Sequence, residues 1–315
     1  MKNRNIWLVG AGLMAIEYAK VLKELSVDFT TIGRGDKSSN SFFATTGVRA
    51  TTGGLDDFLR TMPPLPEGAI VAVGIEALSD TTIKLLNYGV SLILLEKPGV
   101  AYADEITSLV ALTRKKNAQV LIAYNRRFYS SVRKARELIA ADGGATSFVF
   151  EFTEWSHVVR TLAKHPAEHN NWFLGNSSHV IDTAFFLGGK PTEMSHYVKG
   201  GLDWHPASSI FAGAGVTDSG ALFSYHANWE APGRWVLEML TKKHRFIFKP
   251  MEKLQVQDLG SVAVNFVEMD DSLDVNFKPG LYLLTKSFLE GDFKDFCDVN
   301  EQNDMMKFYK GISNY

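Results

Sequence analysis

The sequence predicts an α/β chain of two domains. Residues 1–125 form a doubly wound parallel sheet, and residues 126–315 form an α+β domain with an open, mainly antiparallel sheet. Three observations predict this. The chain has 315 residues, and a domain takes roughly 100–200. Up to Tyr124, short continuous apolar runs alternate with helical patterns, which implies a parallel sheet covered on both faces. Beyond Gly143-Gly144, strand-like segments crowd together with turn residues such as Pro232-Gly233 between them, which implies antiparallel pairing.

Ile6–Val9 is a buried strand, Gly10-Ala11-Gly12 a tight turn, and Ala15, Ala19 and Leu22 repeat with helical spacing. Phe29–Ile32 and Ala69–Val73 are further strands. Ser79 is a candidate cap for a helix that runs to Tyr88 and stops at Gly89. Ser91–Leu95 is a buried strand, Asp104–Lys116 a helix and Gln119–Ala123 a strand. A helix over Ser130–Ala141 leads to Gly143-Gly144. Phe148–Phe152, Ala221–Tyr225, Trp235–Met239 and Arg245–Phe248 read as the second sheet, with Gly280–Phe296 as a helix expected to pack on it. Ser156–Phe173 lacks periodicity and reads as a long loop over a site.

Composition narrows the function. The hydrophobic share is 45%, and 33 basic residues face 35 acidic ones for a net charge of -2. No global field draws the chain to nucleic acid or an acidic membrane, and no run reaches the ~20 apolar residues of a membrane span. Cys297 is the only cysteine, which suits a reducing compartment and a buried small side chain better than a nucleophile. Lys2 and Arg4 before Ile6–Ile16 faintly resemble an export signal, but Gly10, Gly12 and Glu17 interrupt the pattern. The expectation is a cytoplasmic protein.

Gly10-Ala11-Gly12-Leu13-Met14-Ala15 fits G-x-G-x-x-G/A directly after a strand and at the opening of a helix. The first glycine permits the turn, the second lets backbone approach a pyrophosphate, and the third small residue lets helix and strand pack. The helix start adds free N–H groups and a partial positive charge. This is the Rossmann arrangement for a dinucleotide. The second strand ends Ile32-Gly33-Arg34-Gly35 without the acid that usually holds the ribose hydroxyls of NAD. Gly33 leaves room, and Arg34 with Ser38 and Ser39 can face a 2′-phosphate, so NADP is expected over NAD. Val73, Glu96, Lys97 and Asn125 close successive strands and are expected to line the same cofactor.

Glu96-Lys97-Pro98 closes one strand, Tyr124-Asn125-Arg126-Arg127-Phe128 comes after another, and His179-Val180-Ile181-Asp182 lies on a helical run beyond mid-chain. In this order, with the glycine turn, they resemble the glucose–fructose oxidoreductase and inositol dehydrogenase (Gfo/Idh/MocA) family along nearly the whole chain. The resemblance implies a Rossmann domain before an open sheet domain, with sugars, cyclitols or nucleotide sugars as substrates. It implies that Lys97 lies by nicotinamide and substrate, with a bond to Pro98 that is often cis, and that His179 and Asp182 are the helix histidine and later acid. One position departs. The family often has an Asp four residues before the histidine, and here Gly175 stands there, with Asn176 next to it.

These residue types suit hydride transfer. A bound nicotinamide takes the hydride, and the protein moves a proton at the oxygen. Lys97 beside an oxidised nicotinamide would have its pKa lowered by like charge and burial. A histidine's ordinary range lies near neutrality, which suits His179 to proton transfer, and Asp182 shares its helix face. Lys97, His179 and Asp182 are the candidate catalytic set. Arg126, Trp172, Asn176 and His179 are candidate substrate contacts; Arg126, with Arg160 and Lys164, suits a phosphate. His157, His165, His169 and His179 match no zinc spacing, so no metal is expected. The expected function is an NAD(P)-dependent dehydrogenase or reductase acting on a sugar, cyclitol or nucleotide sugar. Alternatives are a non-catalytic dinucleotide sensor or scaffold, and an epimerase-like enzyme that recycles its cofactor internally. A homo-oligomer formed through the second sheet is expected.

Overall fold

The computed structural model describes residues 5–315; Lys2 and Arg4 lie outside them. The chain divides into two compact units, one of residues up to Tyr124 plus Leu281–Asp304, the other of Asn125–Gly280 plus Met305–Tyr315.

The first unit opens with β1 (Asn5–Val9), α1 (Leu13–Glu24), β2 (Asp28–Ile32), α2 (Asp36–Thr46), β3 (Ala50–Thr51) and α3 (Gly54–Arg60). It continues with β4 (Gly68–Val71), α4 (Leu78–Tyr88), β5 (Leu92–Leu95), α5 (Glu105–Lys115) and β6 (Gln119–Ile122). The second unit has α6 (Ser130–Ala141), β7 (Ser147–Glu151), α7 (Ser156–Val159), α8 (Pro166–Asn170) and α9 (Ser178–Gly188). Next come β8 (Pro191–Lys199), β9 (Ile210–Thr217), β10 (Leu222–Asn228), β11 (Val236–Leu240), β12 (His244–Phe248), β13 (Gln255–Asp258), β14 (Asn265–Phe266) and α10 (Ser272–Asn276). The chain then returns to the first unit with α11 (Leu281–Glu290) and β15 (Cys297–Asp298), and the last helix, α12 (Val299–Ser313), belongs to the first unit up to Asp304 and to the second from Met305.

The first sheet has the order β15-β6-β5-β4-β1-β2-β3. Every pair is parallel except β15 on β6. Its central strands are buried throughout because helices cover both faces, as Ile6–Val9, Ala69–Val71 and Ile93–Leu95 show. The strand order reverses between β1 and β4, which makes the carboxyl ends of these strands the place where such sheets bind ligands.

The second sheet has eight strands in the order β14-β13-β12-β11-β7-β10-β9-β8. It is mainly antiparallel, with β7 and β10 parallel. On its covered face Phe148 stacks on Phe223 and Phe150 on Tyr225, each pair at 5.4 Å, with Phe185 of α9 set edge-on at 5.9 Å from Phe148. Its other face exposes Leu222, Ser224 and His226.

Four expectations need correction. Ser79 lies inside the first turn of α4 rather than capping it, because a 3-10 turn at Ile75–Ala77 feeds directly into the helix. The helix after Gly280 packs with the first unit, not on the second sheet: α11 lies against α1, and Phe288 approaches Gly68 of β4. A second domain running unbroken from 126 to 315 is therefore not how the chain divides. Residues 156–173 hold the short helices α7 and α8 rather than an unstructured loop. Among the described residues no helix is long and apolar enough to cross a membrane.

The aromatic stack fixes α9 on its sheet. Phe150 is 1% exposed and touches rings from β7, β10 and α9. Phe150→Ala is expected to lower stability by about 3–5 kcal/mol, read as a shift of the denaturant midpoint. A loss below about 1 kcal/mol would mean that the stack does not hold this unit together.

Candidate active site

In the first unit the site begins at the turn after β1. The Gly10 N–H donates to Ile32 O at 2.9 Å. Its φ is +124°, and a Cβ there would meet Ala72 O at 2.2 Å. Only glycine fits where the chain leaving β1 passes so close to the chain leaving β4. Gly12 differs. It is the N-cap of α1, makes no side-chain capping bond, and a Cβ there would meet nothing within 4 Å. The first turn of α1 contains no acid. The helix therefore offers uncapped N–H groups and its positive end to open space, the chemistry of an anion cradle. Ala15 is fully buried, Leu13 is 85% exposed and Met14 is half-buried at the rim.

Beside the cradle, Gly33 comes directly after β2 and is packed against Ser39, whose Oγ a Cβ at Gly33 would meet at 2.4 Å. Ser39 is buried, so it does not reach solvent as a hydroxyl donor. Arg34 is exposed, and the Ser38 hydroxyl donates to Gly35 O in the first turn of α2 at 3.0 Å. Val73 is half-buried just beyond β4.

Beyond β5, Glu96 is buried, and its Oε1 accepts from the Tyr18 hydroxyl of α1 at 2.8 Å. Burial raises the Tyr18 phenol well above its usual range, and the Glu96 charge adds to the shift. Glu96 thus joins the Lys97 turn to α1, a role beyond lining a cofactor. Lys97 is half-buried, its bond to Pro98 is cis, and Pro98 O accepts from Gln302 Nε2 at 2.9 Å. Gln302 also bonds the Tyr124 hydroxyl. Sequence reasoning missed Gln302, which lies far along the chain and carries no motif.

In the second unit α9 presents His179, which is 6% exposed and whose ring lies 6.3 Å from that of Trp235. The Arg126 guanidinium lies over the same indole at 4.6 Å from its centre, and that of Arg234 at 4.9 Å. Arg234 also covers Trp155 at 4.8 Å and donates to Glu154 Oε2 at 3.3 Å. Glu154 Oε1 accepts from Asn176 Nδ2 and Ser177 Oγ, each at 2.9 Å. Burial pushes the Glu154 carboxyl up, against the pull of Ser177, Arg234 and Asn176. Burial lowers the Arg126 guanidinium.

The sheet register explains this gathering. Glu151 pairs with Val236 in the antiparallel β7–β11 ladder, so the residues leaving β7 lie beside those entering β11. Glu154-Trp155 and Arg234-Trp235 are thereby neighbours, and α9 packs across both strands.

Residues 4–124 match the model of an oxidoreductase family with an NAD-binding Rossmann fold, GFO_IDH_MocA. The match spans the strands of the first unit up to Tyr124, which is less than half of the chain. No curated protein matches the chain in sequence. Solved structures share the fold. UDP-N-acetylglucosamine 3-dehydrogenase GnnA from Acidithiobacillus ferrooxidans aligns with a TM-score of 0.75 at 12% identity, covering 100% of this chain and 98% of that one. Levoglucosan dehydrogenase in complex with NADH and L-sorbose gives 0.77 at 15%, covering 100% and 96%. An oxidoreductase from Desulfitobacterium hafniense, described as a presumed NADPH-dependent enzyme, gives 0.80 at 14%, covering 100% and 95%.

Most of the expected residues gather in two groups. Gly10, Gly12, Leu13, Met14, Val73, Glu96 and Lys97 come after three strands that are neighbours in the first sheet. Arg126, Asn176 and His179 surround Trp235 and Glu154 in the second unit. Three expected residues have other engagements. Asp182 receives a bidentate bond from the buried Arg127, at 2.6 and 2.9 Å, so both its oxygens serve an ion pair. The Asn125 amide donates to Pro279 O at 2.9 Å. Trp172 is buried in another aromatic group, with His169 and Trp204. Glu154, Trp155, Arg234 and Trp235 were not singled out from sequence as site residues. The Trp-bearing pairs Glu154-Trp155 and Arg234-Trp235 at strand ends were the available signal.

The two glycines give opposite expectations. Gly12→Val is expected to leave the fold intact and abolish dinucleotide binding, because the side chain would project into open space above the helix start. Gly10→Ala is expected to destabilise the fold through its clash with Ala72 O. Melting curves and cofactor titration of both variants check this. Normal affinity in a folded Gly12→Val protein would remove the cradle assignment.

Proposed function

We propose that the chain is an NAD(P)-dependent dehydrogenase or reductase acting at a hydroxyl or keto carbon of a sugar, cyclitol or nucleotide sugar. The observation that carries this reading is the uncapped, glycine-lined start of α1 with Lys97 held in a buried turn two strands away in the same sheet. Bound nicotinamide supplies the hydride acceptor or donor. Lys97 moves the proton at the reacting oxygen, and its tether through Glu96 to Tyr18 keeps the turn still against α1. His179, in the second unit, serves the substrate as a proton group or hydrogen-bond partner. Arg126 and Asn176 hold the rest of the substrate. Asp182 acts through its ion pair with Arg127, keeping α9 and the turn Asn125–Phe128 in place. The similar structures named as dehydrogenases of a nucleotide sugar and of levoglucosan support the substrate class. A screen of sugars and nucleotide sugars with both cofactors, read by nicotinamide absorbance, tests the reading.

The cofactor is proposed to be NADP(H) in preference to NAD(H). No acid closes β2, and the exposed Arg34 stands at the start of α2 instead. Titration is expected to show tighter NADP(H), and Arg34→Ala is expected to remove most of that preference. Equal affinities in the unmutated protein would end the claim.

Lys97→Met is expected to reduce turnover by about 10²–10⁴-fold with little change in cofactor affinity, because the lysine works in the transition state. His179→Ala is also expected to slow turnover, and the double variant to fall short of the product of the single losses. Unmutated rates from Lys97→Met would overturn this mechanism.

A further inference from the structure

Arg126, Arg127 and Arg234 of the second unit differ in how far they are neutralised. Arg127 is satisfied by both oxygens of Asp182. Arg234 has one long bond, 3.3 Å to Glu154, and Glu154 already accepts from Asn176 and Ser177. The Arg126 guanidinium makes no hydrogen bond or ion pair among the described residues, and its Nε is sealed from solvent without a partner. Its only close contacts of this kind are the rings of Trp235 and Tyr129. Glu252 and Glu154 act on it from a distance, and Arg234 opposes it. A sealed guanidinium donor without an acceptor is costly. Placing a second guanidinium over the same indole adds like-charge repulsion. An oxyanion between the two would relieve both, since guanidinium forks match carboxylates and phosphates.

We infer that Arg126 and Arg234, both stacked on Trp235, form a seat for an oxyanion carried by the substrate, so that the substrate is a sugar bearing a carboxylate or a phosphate. This rests on the dehydrogenase reading and narrows it. Of the three basic residues that sequence marked for a phosphate, Arg160 is exposed and Lys164 is paired with Glu168 at 2.7 Å. Arg126 alone adjoins His179 through a shared ring. The oxyanion is thereby held near the carbon that reacts.

The test uses the full chain with NADP(H) present and matched sets of neutral hexoses, hexuronates and hexose phosphates at constant ionic strength. Binding is read by tryptophan fluorescence and calorimetry, and turnover by nicotinamide absorbance in the same samples. At least one charged set is expected to bind about 10–100-fold tighter than its neutral counterpart. Preference for hexuronates identifies a sugar acid, and preference for hexose phosphates identifies a phosphorylated sugar. Arg126→Gln is expected to erase the difference while shifting the melting point little, because the guanidinium it removes has ring contacts but no hydrogen-bond or ion-pair partner to lose. Arg234→Gln is expected to weaken the difference in part. Charged sugars binding no better than neutral ones, or Arg126→Gln retaining the preference or melting markedly lower, would overturn the inference. Oxidation of neutral sugars alone would overturn it while sustaining the dehydrogenase reading. Charged-sugar binding without any nicotinamide turnover would sustain the seat and remove that reading.

Discussion

The bond from the Tyr18 hydroxyl to Glu96 is the constraint on which the first unit's site depends. Both groups are buried, and the oxygens stand 2.8 Å apart. A carboxylate at that depth is costly unless it is hydrogen-bonded, and the phenol supplies a bond without exposing surface. The geometric consequence matters more than the energy. Tyr18 lies one turn into α1 beyond the glycine cradle, and Glu96 precedes Lys97. One hydrogen bond therefore fixes the start of α1 relative to the turn that carries Lys97. Gly10 completes the constraint from the other side, since its missing Cβ lets β1 and β4 deliver their next residues to one small region.

The second unit obeys a different rule, which concerns charge. Burying a guanidinium costs on the order of several kcal/mol, and a cation–π contact returns only about 0.5–2 kcal/mol. Arg127 meets that cost with a bidentate carboxylate, a short geometry of the strong kind. Its partner Asp182 lies three residues after His179, so the ion pair sets the rotation of α9 and with it the direction of the histidine. Arg126 is the adjacent residue in the chain and has no such partner. The adjacent arginines thus differ in satisfaction: one is held by a carboxylate, and the other is the one proposed to meet a ligand.

Much of the fold was legible where pattern and physics coincide. The strand, glycine turn and helix at Asn5–Glu24 declare themselves because full burial of β1 demands a continuous apolar run and the turn demands glycine. Ser130–Ala141 was readable to the residue, because its apolar face has helical period and a glycine pair ends it. The hairpin of β8 and β9 was not legible. Most of β8 is exposed or half-exposed, and β9 contains Gly213 and Gly215, so no alternation marks either strand. That hairpin is held by its ladder of main-chain bonds, which sequence does not display. The location of α11 was illegible for another reason. Its buried Leu281, Leu284 and Phe288 announce an apolar face but not the surface that receives it.

The candidate site divides the same way. Residues in motifs were readable, while Glu154 and the Arg234-Trp235 pair depend on a strand register that brings residues some 80 positions apart together. Gly175, where the resemblance led to the expectation of an acid, lies within a π-helical turn, Phe173–Ser177, that widens the entry to α9. The next two residues, Asn176 and Ser177, both donate to Glu154. The acid at the head of α9 is therefore supplied from beyond β7 rather than from the helix itself. Its burial and its bond to Arg234 couple that carboxylate to the arginine pair. A carboxylate from beyond β7 thus sits at the head of α9 and takes part in the charge around Trp235.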